Sequence, residues 1–413
     1  MKHSFAILAL FISITTCAQK NIDVVHYKYE IELNDYDDTI RGQAEIVFIV
    51  LAKNGLLATD ELVFDLSNIN GKDKKGMIVK EAYGITPLPG SSAPKAIHQN
   101  DKIRVVARRP IKYGDTGYVY ITYNGIPSDG LIISKNSFGK RTFFGDNWPN
   151  RAHNWLPCVD DPADKASVEF IVTAPAHYQI ISNGIQVEET SLPDNKKLTH
   201  YKEDVPLPTK VMVIGAADFA VNNIGDTNCI PVSSWVYAEN RAEGFYDYAI
   251  GKDILGFFSN YIGPYPYKKL ANVQSKTRFG GMENAGAIFY NESTVTGKRE
   301  EERLFAHEIV HQWFGNMATE KSFAHLWLSE GFATYLTHIF LESKYGTDTL
   351  NSRMREEREE IIDFVKRSKR PVVDSTPNFM ELLNANSYQK GSWVLHMLRR
   401  ELGDSVFHKA IRT

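Results

Sequence analysis

Cysteine is scarce: Cys17, Cys158 and Cys229 are the only three in 413 residues. No two form a Cys-x-x-Cys pair, which excludes a cysteine-based zinc site. An excess of charge of one sign is also absent. Lysine and arginine total 47 against 50 aspartates and glutamates, a formal net charge of −3, so no nucleic acid or anionic membrane is indicated as a partner. No repeat period is visible. The apolar run from Phe5 to Ile14 is about half of the ~20 residues a membrane span needs, so no transmembrane segment is expected. What is present, 43% hydrophobic and 23% charged residues, is the composition of a soluble globular protein. A chain this long is expected to divide into two or more domains.

Met1-Lys2-His3 is short and basic, Phe5 to Ile14 is apolar, and Thr16-Cys17-Ala18 supplies small residues. This layout predicts a signal peptide over 1–18 and export to the periplasm, cell surface or medium. Ile14-Thr15-Thr16-Cys17 loosely resembles a lipobox, which leaves a lipid anchor at Cys17 as an alternative. Cys158 and Cys229 then remain, either as one disulfide or as two isolated buried thiols.

From Val24 to Ala220 short alternating runs rich in Val, Ile, Tyr and Phe are separated by Gly, Pro, Asn and Asp. They predict a β-rich domain of antiparallel sheets over 19–220, including a strand from Lys210 to Ala216. Over 221–413 the spacing turns helical: Gly244–Ile262, Glu300–Phe314, Leu326–Tyr345, Thr349–Lys369 and Tyr388–Leu402, with a short strand pattern around Phe279–Tyr290. The charge run from Arg353 to Glu360 reads as a solvated helix face with i,i+4 pairs. The fold class expected is multidomain α+β. Val406 to Arg412 still reads as helix with no stop signal, which suggests a downstream portion beyond Thr413.

His307-Glu308-Ile309-Val310-His311 places two histidines one turn apart on a single helix face, where both can reach one ion. A chance H-E-x-x-H is expected roughly 0.02 times in such a chain. Leu304, Phe305, Ile309, Val310, Trp313 and Phe314 mark the helix as mostly buried, where unpaired polar groups cost several kcal/mol and a metal removes that cost. Glu330, in the apolar stretch Trp327-Leu328-Ser329-Glu330-Gly331-Phe332-Ala333, is the candidate third ligand. His₂Glu with one open position is a hydrolytic zinc site for a single ion. Glu308, close to the ion but aimed past it, is the candidate general base. His325 and His338 read as ordinary polar residues.

These residues resemble the alanyl aminopeptidase (aminopeptidase N) family of gluzincins, which also contains leukotriene A4 hydrolase. The family signature is H-E-x-x-H, eighteen residues, then Glu, preceded by G-x-M-E-N. Gly280-Gly281-Met282-Glu283-Asn284 matches the latter motif, and Leu156-Pro157-Cys158-Val159-Asp160-Asp161-Pro162 is similar to the family's F-P-C-x-D-E-P. Ser329 stands where Asn is usual. The resemblance implies a β-saddle N-terminal domain and a thermolysin-like, mainly α-helical catalytic domain. It implies that Glu283 binds the α-ammonium of peptides with a free N-terminus, and that Tyr388, in Tyr388-Gln389-Lys390-Gly391, stabilises the oxyanion. Gly280 and Gly281 would let substrate lie along the backbone as an added strand. A Gln or Glu that helps bind the amino group in many members has no clear counterpart here; Asp146 or Asn147 are the candidates. Epoxide hydrolysis of the leukotriene A4 hydrolase type, an endopeptidase and a non-catalytic scaffold are the alternatives to an aminopeptidase.

Overall fold

The structure, a computed structural model, describes residues 21–52, 57–69, 71–85 and 95–412. The leader expected at 1–18 and its Cys17 lie outside the described residues. Among those described, no helix is long and apolar enough to cross a membrane.

The first half is built on a seven-stranded sheet. Its order is Ile185–Leu192, Lys196–Pro208, Lys165–Pro175, Ile22–Glu32, Ile40–Val50, Thr116–Ile126, Gly76–Ile85. Burial alternates along Lys165–Pro175, with Ala166, Val168, Phe170, Val172 and Ala174 facing inward, as a half-buried strand requires. The sheet is not wholly antiparallel as the sequence suggests: Ile22–Glu32 runs parallel to Lys165–Pro175, with His26 opposite Ser167. Strand alternation carries no information about direction, and these partners are too distant in sequence to be joined by a hairpin.

Tyr27, Tyr29, Phe170 and Trp155 stack in the core of this sheet. The Tyr29 hydroxyl donates to the Pro157 carbonyl at 2.9 Å, and the Val159 amide donates to Tyr27 Oη at 2.9 Å. These bonds pin the segment 157–159 against the sheet. Cys158 is buried there, bridged to Asp65 through the backbone, while Cys229 is exposed in a turn. Both thiols are free, so the buried-thiol expectation fails for Cys229.

A second, five-stranded sheet has the order Phe219–Thr227, Ile230–Tyr237, Leu270–Ser275, Ala287–Asn291, Gly281–Met282. Its first strand starts just before residue 220 and pairs only within this sheet, so the change of architecture falls at the start of that strand. Among the described residues, seven α-helices follow or interleave: α1 Arg241–Tyr248, α2 Ile250–Tyr261, α3 Glu302–Val310, α4 Trp327–Tyr345, α5 Thr347–Arg367, α6 Gly391–Leu402 and α7 Asp404–Ile411. The single helix expected over Gly244–Ile262 is thus two, abutting at Ala249. α4 stops at Gly346, whose φ of 91° takes the chain out of the helix.

Two further expectations are corrected. The strand over Lys210–Ala216 opens as a 3-10 turn, Thr209–Val211, and only Ile214–Ala217 is strand. The turn is fixed from outside: Asn147 Nδ2 donates to the carbonyls of Thr209 and Met212, and Asn183 Nδ2 donates to that of Val211. The charge run on α5 is not all solvated. Glu357 is buried and accepts from His338 Nε2 at 2.6 Å, which makes His338 half of a buried pair, and Arg353 pairs with Glu356 at i,i+3.

The two halves are tied by polar contacts. Lys210 pairs with Glu320 in a fully buried ion pair. Lys165 Nζ donates to the carbonyls of Asn316 (3.0 Å) and Met317 (2.9 Å), and Asn183 Nδ2 also reaches the Ala285 carbonyl.

Candidate metal centre

α3 carries His307, His311 caps its C-terminus one turn further on, and the first turn of α4 brings Glu330 against them. His307 Nε2 lies 3.1 Å from His311 Nε2 and 3.3 Å from Glu330 Oε2, and His311 Nε2 lies 3.4 Å from the same oxygen. A tetrahedral ion bonded at ~2.0–2.1 Å needs its donors roughly 3.3–3.4 Å apart. The triangle of donors therefore fits one zinc-sized ion without rearrangement. On the far side of the ring, His311 Nδ1 donates to the Phe314 carbonyl at 3.0 Å, with Ser329 Oγ at 3.2 Å. That bond fixes the tautomer and leaves the Nε2 lone pair for the metal. Ser329, which stands where Asn is usual, thus sits behind a ligand.

Charge at the site favours a cation. Burial pushes the carboxyls of Glu283 and Glu308 upward. Burial also opposes charge on Glu330, but the His311 ring and hydrogen bonds from both histidines hold it well below the usual carboxylate range. Burial lowers His307, whereas on His311 it is outweighed by Glu330, Glu283 and Glu308, which push that ring up to about 10. Three acids around two imidazoles demand positive charge, which a divalent ion brings.

One pocket contains nearly all the residues singled out from sequence. Gly281, Met282, Glu283, His307, Glu308, His311, Glu330 and Tyr388 line it. Gly280 and Asn284 do not: Gly280 is spent in the sheet, its carbonyl accepting from the Asn291 amide, and Asn284 is fully buried behind the wall. Tyr388 sits in a π-turn, Asn386–Lys390, just ahead of α6 rather than inside it, with its ring 6.1 Å from that of His307. Burial, then the nearby acids Glu330, Glu308 and Glu283, raise its phenol well above the ordinary value.

Neither Asp146 nor Asn147 reaches the pocket. Asp146 is occupied by Arg151 (2.6 Å) and the Arg278 amide (3.2 Å), and Asn147 by two carbonyls and the Trp155 indole. Their neighbour Trp148 does line it, together with Phe279 and Leu383. These three apolar walls went unnoticed in the sequence, where each is an isolated large side chain on a different segment.

The close approach of two backbones holds Glu330 and Tyr388 together. A Cβ built on Gly331 would lie 2.7 Å from the Gly391 Cα, and one on Gly391 would lie 2.8 Å from the Gly331 Cα. α4 and the start of α6 therefore touch main chain to main chain, one residue from Glu330 and three from Tyr388.

Comparison with known proteins agrees with this geometry. Residues 24–211 match the peptidase M1 N-terminal domain and residues 246–413 the peptidase family M1 domain. Aminopeptidase M1 of Arabidopsis thaliana is 28% identical over 359 residues, covering 80% of this chain and 40% of its own length. Aminopeptidase N of Oryctolagus cuniculus is 28% identical, covering 63% of this chain and 29% of its own. The chain thus spans less than half the length of these curated relatives. The M1 zinc metallopeptidase of Deinococcus radiodurans superposes with a TM-score of 0.79 at 23% identity, covering 95% of this chain and 86% of that one. A mutant of the same enzyme, solved with a Tyr-Ser-Ala substrate, gives a TM-score of 0.77. At this level of identity the likeness establishes the fold.

Proposed function

Because the chain belongs to peptidase family M1, whose two domains it matches in order, we propose that it is an exported zinc aminopeptidase that releases the first residue of peptides. The observation that carries the reading is the position of Glu283. It lines the same pocket as the three metal donors, and its buried Oε1 has no partner in the protein. An unpaired buried carboxylate oxygen is costly. A substrate α-ammonium removes that cost, and a chain without a free amino terminus does not.

The roles follow from placement. The ion, when bound, supplies Lewis acidity and the means to activate water near neutral pH. Glu308 takes the proton of the attacking water and delivers it to the leaving amine, two duties for one carboxylate in the pocket. Tyr388 Oη donates to the carbonyl oxygen as negative charge gathers on it. Gly281–Met282 is the edge strand of the five-stranded sheet, which suits the addition of an extended substrate as one more strand. Met1-Lys2-His3, the apolar run that follows and Thr16-Cys17-Ala18 support the exported location.

The test is hydrolysis of amino-acid anilides and of their N-acetylated forms, by the wild type and by Glu308→Ala, with and without a chelator. Wild-type activity confined to free-amine substrates, and lost on either change, is expected. Equal cleavage of the acetylated forms would make the protein an endopeptidase. A fatty-acid epoxide turned over in their place would put it with the epoxide hydrolases.

A further inference from the structure

The backbone at Glu283 leaves the sheet: the strand ends at Met282, and the Glu283 carbonyl has no ladder partner. It is held by two side chains instead. Gln312 Nε2 donates to it at 2.8 Å and Asn316 Nδ2 at 2.7 Å, and both residues are fully buried. Gln312 is itself locked, its Oε1 accepting from the Gly286 amide at 2.8 Å and the Tyr265 hydroxyl at 3.4 Å. Asn316 is anchored through its amide to the His311 carbonyl (3.1 Å) and through its carbonyl to Lys165 Nζ (3.0 Å).

Gln312 directly follows the second histidine, and Asn316 closes the turn after it. The segment that places the metal donors therefore also grips the peptide that places the ammonium-binding carboxylate. We propose that Gln312 and Asn316 are positioning residues for substrate selection: they set the spacing between Glu283 and the metal donors, and with it the preference for a free amino terminus. The proposal rests on the aminopeptidase reading above. Neither residue touches substrate; each acts through the Glu283 carbonyl. Two donors on one carbonyl leave the Glu283 peptide little rotation, so its carboxylate meets the substrate ammonium already oriented. Losing one donor frees the peptide to rock and weakens amine binding, with less effect on the chemical step once substrate is bound.

The experiment compares Asn316→Ala, Gln312→Met and Glu283→Gln with the wild type. Asn316→Ala is the cleaner change, because Asn316 Oδ1 has no partner and its side chain contributes a single hydrogen bond. For both positioning variants KM for a free-amine anilide is expected to rise at least about tenfold while kcat stays within about threefold. Zinc content and melting temperature should be close to wild type in Asn316→Ala. Calorimetric binding of L-tryptophan should weaken by the same factor as KM, with N-acetyl-L-tryptophan as the blank. If Gln312→Met does not accumulate as folded protein, Asn316→Ala decides alone. KM unchanged within twofold in the folded variants overturns the proposal, as does loss of zinc without loss of amine affinity. Glu283→Gln separates the two levels: if it keeps the wild-type free-amine preference, Glu283 is not the amine site and the proposal falls, whereas the aminopeptidase reading fails only if the wild type cleaves N-acetylated anilides as fast as free ones.

Discussion

Replacing Gly391 by alanine tests how tightly the site depends on one backbone contact. The new methyl would sit 2.8 Å from the Gly331 Cα and 3.3 Å from the Trp327 carbonyl oxygen, all main-chain atoms that no side-chain rotation relieves. Ordinary contact starts near 3.4 Å, so α4 and α6 must part by roughly 0.6–1 Å. Overpacking of this kind costs about 1–3 kcal/mol, and about 2–4 °C of melting temperature accompanies each kcal/mol in a domain of this size. The catalytic cost is larger. Glu330 follows one helix and Tyr388 the other, so the separation appears directly as misplacement of the phenol relative to the donor triangle, and a displacement near 1 Å costs about 10²-fold. The assay is kcat on an amino-acid anilide, with zinc content and melting temperature measured on the same preparation. Zinc should remain near one equivalent, because His307, His311 and Glu330 lie on α3, its C-terminal cap and α4. Gly256→Ala is the control: in α2 its methyl meets only Thr227 Cγ2, at 3.6 Å, so activity is kept and stability gains up to about 1 kcal/mol. A Gly391→Ala protein with wild-type kcat and melting temperature would refute the argument from crowding.

Three more outcomes are expected. Lys210→Met strands the buried Glu320 carboxylate and should cost about 3–5 kcal/mol in urea denaturation, most of it regained when Glu320→Leu is added; an additive double mutant would contradict this. Tyr388→Phe should lower kcat about 10²–10³-fold with little change in KM, and equal losses in KM would point to ground-state binding instead. Burial works against a charged His153, but its 2.7 Å hydrogen bond to Asp160 and the charge of that residue raise the ring above its ordinary value. The pair's contribution is therefore fully present below about pH 6.5 and lost as pH rises through the folded value, so His153→Gln should destabilise more at pH 6 than at pH 9. Denaturation midpoints that differ by the same amount at both pH values would rule this out.

The donor set was legible because helical geometry turns a spacing of four into a shared face, and because burial makes an unpaired histidine or carboxylate improbable. Nothing comparable marks Trp148, Phe279 or Leu383, which meet only after three segments have folded. The same limit hid the Gly331–Gly391 contact and the grip of Gln312 and Asn316 on the Glu283 carbonyl, since contacts to backbone leave no pattern in side-chain type. The strand pattern located most of the first sheet but not its direction. Lys210 was mistaken for a strand residue because its turn is held by Asn147 and Asn183 from elsewhere in the chain. Glu357 looked solvated because Arg355, Glu356, Arg358, Glu359 and Glu360 around it are all charged; its partner His338 sits on another helix.

The parallel pairing of Ile22–Glu32 with Lys165–Pro175 also has a meaning in time. His26 and Ser167, hydrogen-bonded at 2.8 Å, stand 141 residues apart in the chain. At ribosomal rates of ~5–20 residues per second, the first strand waits about 7–30 s for its neighbour. During that interval it has Ile40–Val50 on one side and an open edge of unpaired N–H and C=O groups on the other, a template for pairing with another nascent chain. Yield during synthesis should therefore depend on whatever shields that edge, more than on the stability of the finished fold.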